Sequence, residues 1–164
     1  MKLREVTIDD AKFLFEMKQD KEFQKYFLDV LIPKTLLEQE KEIREVNRFA
    51  KRGLWKYYII EENKKRIGYT DVYKINNKHK RCAIGYGIAK KYWGKGYATK
   101  ALKLTLKKIE KLNIHTVEGA AHPKNIASQK VMEKNGFTKV GLMKDYYYSK
   151  SKYVDRILYW KVLE

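Results

Sequence analysis

The chain is poor in cysteine. Cys82 is its one thiol in 164 residues, which excludes an intrachain disulfide framework and any zinc site built on two thiolates. Its position in the strand-like run RCAIGY suits a buried thiol better than a nucleophile. No grouping of His, Cys and Asp has the spacing of metal ligands, so no metal is expected. No apolar run approaches the roughly 20 residues that span a bilayer, and the opening MKLREVTIDD lacks the apolar core of a secretory leader. The expected address is the cytoplasm, with no membrane partner. Repeats, linkers and low-complexity tracts are also missing, so one domain over residues 1–164 is the expectation. Acidic side chains are few, 20 against 37 basic, and the formal charge of +17 attracts nucleic acid, anionic cofactors or acidic partners without choosing among them.

What is present supports a packed interior: 44% of residues are hydrophobic and 13% aromatic. Lys2 to Thr7 reads as a strand, and Asp9 or Asp10 caps a helix carrying Ala11, Leu14, Phe15 and Met17. Thr35 opens a second helix that ends near Gly53. Leu54–Glu62 and Arg66–Ile75 are strands joined by an NKKR turn, and Arg81–Ala89 is a third. Ala98, Ala101, Leu102, Thr105, Leu106, Ile109 and Leu112 then recur on one helical face, opposite Lys100, Lys103, Lys107, Lys108 and Lys111. A strand from Ile114 to Ala121, a helix from Asn125 to Lys134 and two closing strands near Phe137–Ser149 and Tyr153–Leu163 complete the order. The economical architecture is mixed α/β (α+β), a mostly antiparallel twisted sheet of about six to seven strands flanked by about four helices.

Between the third strand and the lysine-faced helix lies KKYWGKGYATKAL, Lys90 to Leu102. Glycines let backbone N–H groups turn toward an anion, and a helix N-terminus adds its positive end, so WGKGYA is either a pyrophosphate cradle or a plain turn before a helix. It is neither a P-loop nor a complete dinucleotide-binding fingerprint. Trp93-Gly94-Lys95-Gly96-Tyr97-Ala98 resembles the Q/R-x-x-G-x-G/A signature of the GNAT acetyltransferases, with Trp93 in the Q/R place. IGYGI before the loop, HPKNIASQKVMEKNGF after it and a closing hairpin ending in DRILYW resemble the ribosomal-protein N-acetyltransferase (RimJ/RimL-like) branch.

The resemblance implies a GNAT fold and acetyl-CoA as the donor. Ile88 would offer backbone contacts to the pantetheine arm, the loop from Trp93 through Gly94, Lys95, Gly96 and Tyr97 to Ala98 would hold the pyrophosphate, and Asn125 would contact the pantetheine. Asn125 is equally suited to capping its helix. Ser128 matches the serine that this branch places near the thioester sulfur, and Met132 falls where other members carry a tyrosine; a polar residue in a first helical turn is the plainer meaning of Ser128. Ala83 stands where many relatives have a glutamate, which leaves Glu118 as the candidate base or as an ordinary surface carboxylate. His115 and His122 read as surface imidazoles. The implied acceptor is a protein or peptide amine, most plainly an N-terminal α-amine, with a ribosomal protein among the candidates. Small amines such as a polyamine or an antibiotic, and a non-catalytic CoA- or RNA/ribosome-binding module, are the alternatives. Nucleic acid is a partner that the basic surface allows without requiring, and the chain is a monomer or homodimer.

Overall fold

A computed structural model describes residues 1–163. Its strands are β1 (Lys2–Glu5), β2 (Lys56–Glu62), β3 (Lys65–Asn76), β4 (Arg81–Ile88), β5 (Thr116–Ala121), β6 (Thr138–Ser149) and β7 (Lys152–Val162). Its helices are α1 (Ala11–Gln19), α2 (Lys21–Gln24), α3 (Leu36–Lys51), α4 (Tyr97–Glu110) and α5 (Ile126–Lys134). The helix that the sequence did not announce is α2. It is a single turn, too short for a hydrophobic period, and it exists because the Asp20 carboxylate accepts the N–H groups of Glu22 and Phe23.

The strands form one sheet in the order β1-β2-β3-β4-β5-β7-β6. Neighbours run antiparallel except β4 and β5, which are parallel. The β2–β3 turn places Asn63 (φ 49°) and Lys64 (φ 61°) in the left-handed region, as a tight hairpin requires. Both faces of the sheet are covered, which explains why Tyr57, Tyr58, Ile59 and Ile60 are buried in succession instead of alternating. Leu14 and Met17 of α1 and Ile43 and Val46 of α3 pack with Tyr57, Ile59 and Tyr69 on one face. On the other, Leu102, Leu106 and Ile109 of α4 and Met132 of α5 pack with Val72, Ile84, Val117 and Tyr159. Gly119 of β5 permits the close seat of α5, because a Cβ there would lie 2.7 Å from the Met132 sulfur. Cys82 is buried in this second layer, and burial pushes its thiol up to about 12, away from nucleophilic use. No helix among the described residues is long and apolar enough to cross a membrane.

Asp10, expected only as a helix cap, ties the first strand to the sheet. Its carboxylate is fully buried and accepts Arg4 Nη1 and Nη2 at 2.7 Å each, the Thr7 N–H at 2.8 Å and Arg66 Nε at 2.9 Å. Burial opposes its charge, but the Arg4 hydrogen bonds and the Thr7 N–H outweigh that and hold the carboxyl below its usual range. A depressed folded value means stability that is present above the unfolded pKa of about 3.9 and lost as pH falls through the folded one. Asp10→Asn is therefore expected to lower the urea midpoint at pH 7, with the gap to the parent protein closing toward pH 3. A gap independent of pH would show that the carboxylate's charge is not what stabilises this corner.

Candidate active site

The ladder between β4 and β5 is short. It pairs Arg81 with Thr116, Cys82 with Val117 and Ala83 with Glu118, and then stops. Beyond it β4 stays on β3, with Gly68 opposite Ile88, while Gly119 to Ala121 stay on β7. The strands part, and two clefts meet in the opening. One, about 540 Å³, runs toward the glycine loop; the other, about 440 Å³, opens on the α1–α3 side and reaches β7. Tyr26, Phe27, Tyr86, Asn125 and Ser128 line both.

Ile88, Trp93, Gly94, Gly96, Tyr97, Ala98, Asn125 and Ser128 all line the first cleft. Lys95 is exposed beside it. Gly94 (φ 74°) and Gly96 (φ 73°) adopt the left-handed region, where a side chain is strained, and nothing lies within 4 Å of where either Cβ would be. The N–H groups of residues 94 to 99 have no acceptor among the described residues, and they converge at the N-terminus of the 14-residue α4. An open surface of free N–H groups at a positive helix end fits a pyrophosphate. The Trp93 indole donates to the Ile88 carbonyl at 2.6 Å, so Trp93 braces the loop against the end of β4. The Ala89 N–H is given to Ile67 of β3, and backbone alternation therefore turns the polar groups of Tyr86 and Ile88 toward the gap.

Where the clefts meet, Asn125 Oδ1 accepts the Ser128 N–H at 3.2 Å and caps α5, which leaves its amide nitrogen for other use. Ser128 Oγ and the Tyr86 hydroxyl are 2.9 Å apart, with either able to donate, and the Tyr86 hydroxyl also reaches the Ser128 carbonyl at 3.1 Å. Burial raises the Tyr86 phenol above its ordinary value despite Ser128, so the pair keeps its protons at neutral pH.

Glu118 lines neither cleft. It sits where the β4–β5 ladder is still closed, between Ala83 and Trp160, and the gap begins only past it. The carboxylate that the second cleft does contain is Asp71, which the sequence reading missed. Asp71 is opposite Gly85, and a Cβ on Gly85 would lie 2.4 Å from Asp71 Oδ1, so the glycine makes room for the carboxylate. Trp55 Nε1 donates to Oδ2 at 3.2 Å. Burial, partly offset by Trp55 and Lys18, raises the Asp71 carboxyl to about 7. Nearby, the buried Lys18 Nζ bonds both Glu42 oxygens at 3.0 and 2.7 Å. The available signal was a lone acid in the aromatic-rich strand YTDVY, facing a glycine on the next strand. His122 lines this cleft, its ring tilted against that of Tyr26 at 5.2 Å between centroids, and burial keeps it below its ordinary pKa; His115 is exposed and lines neither. Asp29 closes the outer wall by a clasp: its N–H donates to Ser149 Oγ at 3.0 Å, and its carboxylate accepts the Ser149 hydroxyl at 2.8 Å and the Lys150 N–H at 3.1 Å.

Comparison with known proteins agrees with this geometry. The chain is 29% identical over 162 residues to an uncharacterized N-acetyltransferase p20 of Bacillus licheniformis, covering 93% of this chain and 87% of that protein. It is 27% identical over 117 residues, 69% of this chain and 60% of the other, to a ribosomal protein uS5-alanine N-acetyltransferase of Escherichia coli. Its fold matches a solved structure of RimL, a ribosomal L7/L12 α-N-protein acetyltransferase in complex with coenzyme A, with a TM-score of 0.90, 21% identity and coverage of 98% and 93% of the two chains. The sequence pattern of the acetyltransferase (GNAT) domain matches residues 1–138, and the chain belongs to the GNAT acetyltransferase family.

Proposed function

We propose that the whole chain is one cytoplasmic GNAT domain that uses acetyl-CoA to acetylate the α-amine of a protein or peptide N-terminus. The observation that carries this reading is the meeting of two unlike clefts at the Tyr86–Ser128 hydroxyl pair, one lined with free N–H groups and the other holding a sunken carboxylate. Relatives named for alanine or α-amino acetylation of ribosomal proteins support the acceptor class, and a ribosomal protein is the natural candidate.

Acetyl-CoA supplies an activated acetyl group as a thioester. The backbone from Gly94 to Ala98 binds its pyrophosphate, Ile88 offers backbone contacts to the pantetheine, and Asn125 donates to it from the amide nitrogen that capping leaves free. Asp71 replaces Glu118 as the base in this reading. An α-amine has a pKa near ~8 and a lysine side chain about two units higher, so a carboxylate poised at about 7 is matched to the former. Asp71 takes the ammonium proton on its free oxygen, and Ser128 Oγ, partnered by Tyr86, holds the proton that meets the departing sulfur. The acids of the second cleft, Glu42 and Asp71, face the cations Lys18 and Arg156, and because Lys18 pairs with Glu42, Asp71 is the carboxylate left for one ammonium. A chain of net +17 offers a polycation little else.

Gly96→Val forces a β-branched side chain into the left-handed region at the cradle, and a rise of about tenfold or more in the KM for acetyl-CoA is expected with the fold retained by circular dichroism. Unchanged acetyl-CoA affinity by calorimetry would move the pyrophosphate elsewhere. For Asp71→Asn, kcat is expected to fall by about 10²-fold or more. The parent's rise in kcat/KM through about pH 7 should vanish, leaving only the limb from the amine near ~8. The elevated carboxyl also means that the folded state holds a proton that the unfolded state releases between about pH 4 and 7, so its stability contribution declines across that window. Asp71→Asn should accordingly melt higher than the parent at pH 8, which separates lost chemistry from lost folding. The acceptor itself is tested by competing a panel of N-terminal peptides with spermidine at equal concentration. Peptides are expected to win in kcat/KM, and a tenfold advantage for spermidine would overturn the assignment.

A further inference from the structure

The second cleft contains a buried cation with no anion. Arg156 on β7 is 7% exposed and lines the cleft, yet it has no ion pair among the described residues. Its recorded hydrogen bond is Nη1 to the carbonyl of its own neighbour Asp155, at 2.9 Å, and its guanidinium lies 5.5 Å from the centre of the Tyr147 ring. The Asp155 carboxylate does not serve it, being occupied by the Asp145 N–H at 2.9 Å. The other buried cation lining this cleft, Lys18, has its carboxylate in Glu42. His122, which lines the same cleft, is held below its ordinary pKa by burial and by Arg156, and an imidazole offers no negative charge in either form. Arg156 thus keeps Nε and Nη2, a fork suited to two oxygens of one anion, without a protein acceptor among the described residues.

We propose that Arg156 is an acceptor-recognition residue that binds an oxyanion carried by the substrate a short distance from its reacting amine, so that the preferred acceptor is an N-terminal segment with an acidic group near its start. This rests on the acetyltransfer reading above and narrows it. The cleft is bipolar: Asp71 marks the amine end and Arg156 the anion end. Between them lie β4 and β5, neighbours in the sheet order that part beyond Ala83. Three strand spacings of about 4.8 Å set a lower bound of roughly 14 Å on the backbone separation, which the parted strands exceed, and after the lengths of both side chains the remaining span is at least what about two residues of extended peptide cover at ~3.3 Å each. The anion therefore belongs to the second or third residue, as the carboxylate of Asp or Glu or as a phosphate on Ser. Burial makes the pairing worth more than a surface contact, and an uncharged residue in that place leaves the guanidinium desolvated and unpaired. The same cation repels a polyamine, which agrees with the peptide preference from an independent residue.

The test is a set of short peptides identical except at the second and third positions, which carry Asp, Asn, Ser or phosphoserine. In the parent enzyme the Asp or phosphoserine peptide is expected to exceed its Asn or Ser counterpart at least tenfold in kcat/KM, and the winning member distinguishes carboxylate from phosphate. In Arg156→Gln the ratio should collapse to near one, and in Arg156→Lys, which keeps the charge but loses the fork, it should be intermediate. An acidic preference that survives Arg156→Gln, or no preference in the parent, overturns the assignment; the parent comparison needs no variant to fold. Calorimetry of the already acetylated Asp and Asn peptides in the presence of CoA reads anion recognition without turnover. Weaker binding of the Asn product with no acetylation of any peptide would keep the Arg156 site and reject the acetyltransfer reading, whereas turnover with equal product binding would do the reverse.

Discussion

The parting of β4 from β5 after Ala83 imposes the conditions that the rest of the site meets. A parallel ladder that stops midway leaves N–H and C=O groups without strand partners, and such groups are costly unless water, side chains or a ligand receive them. One of them, the Ile88 carbonyl, is taken by the Trp93 indole. The separation itself is held by packing on both banks: β4 remains paired to β3 along its length, and β5 is pinned between β7 and Met132 of α5. The Tyr86–Ser128 hydroxyl contact then spans the opening from β4 to the first turn of α5. Widening or closing the gap would disturb that contact, so the geometry of the sheet and the placement of the proton-bearing hydroxyls are one constraint.

Charge is distributed around this opening in a pattern that the net value hides. The lysines of α4 lie mostly in solvent, with Lys108 set over the Tyr58 ring at 4.9 Å, while the glycine cradle depends on backbone groups and the helix end. On the other side the charges are sparse, buried and individually accounted for: Lys18 with Glu42, Asp71 beneath Trp55, and Arg156 over Tyr147. The donor side attracts any phosphate-bearing ligand by its field, and discrimination falls to the few buried groups opposite.

What could be seen in the sequence was what local chemistry writes there. The period of α4, the Thr35 cap of α3, the turn at Asn63-Lys64 and the Asn125 cap all follow from neighbours within about one helical turn, and their positions agreed with the structure. The cradle was legible because Gly94 and Gly96 lie two positions apart in the sequence and precede α4 directly. Asp71 and Tyr86 were not, because their roles exist only across the sheet: one needs Gly85 opposite, the other needs Ser128 from a helix far along the chain. Glu118 was attractive as the acid on the strand before Asn125, but sequence does not say at which rung a ladder opens.

The clasp of Asp29 on Ser149 and Lys150 joins segments about 120 positions apart, and this gives the two halves of the site different histories during folding. The donor half is assembled from Tyr86 to Lys134, one nearly contiguous stretch apart from a wall contributed by α2 and the residues just after it. The acceptor half waits for a loop spanning most of the chain to close, and long-range closures come late because their entropy must be met before their contacts reward it. The acceptor wall is thus tied shut by a long-range closure around the site, while the donor half draws most of its lining from one stretch of chain.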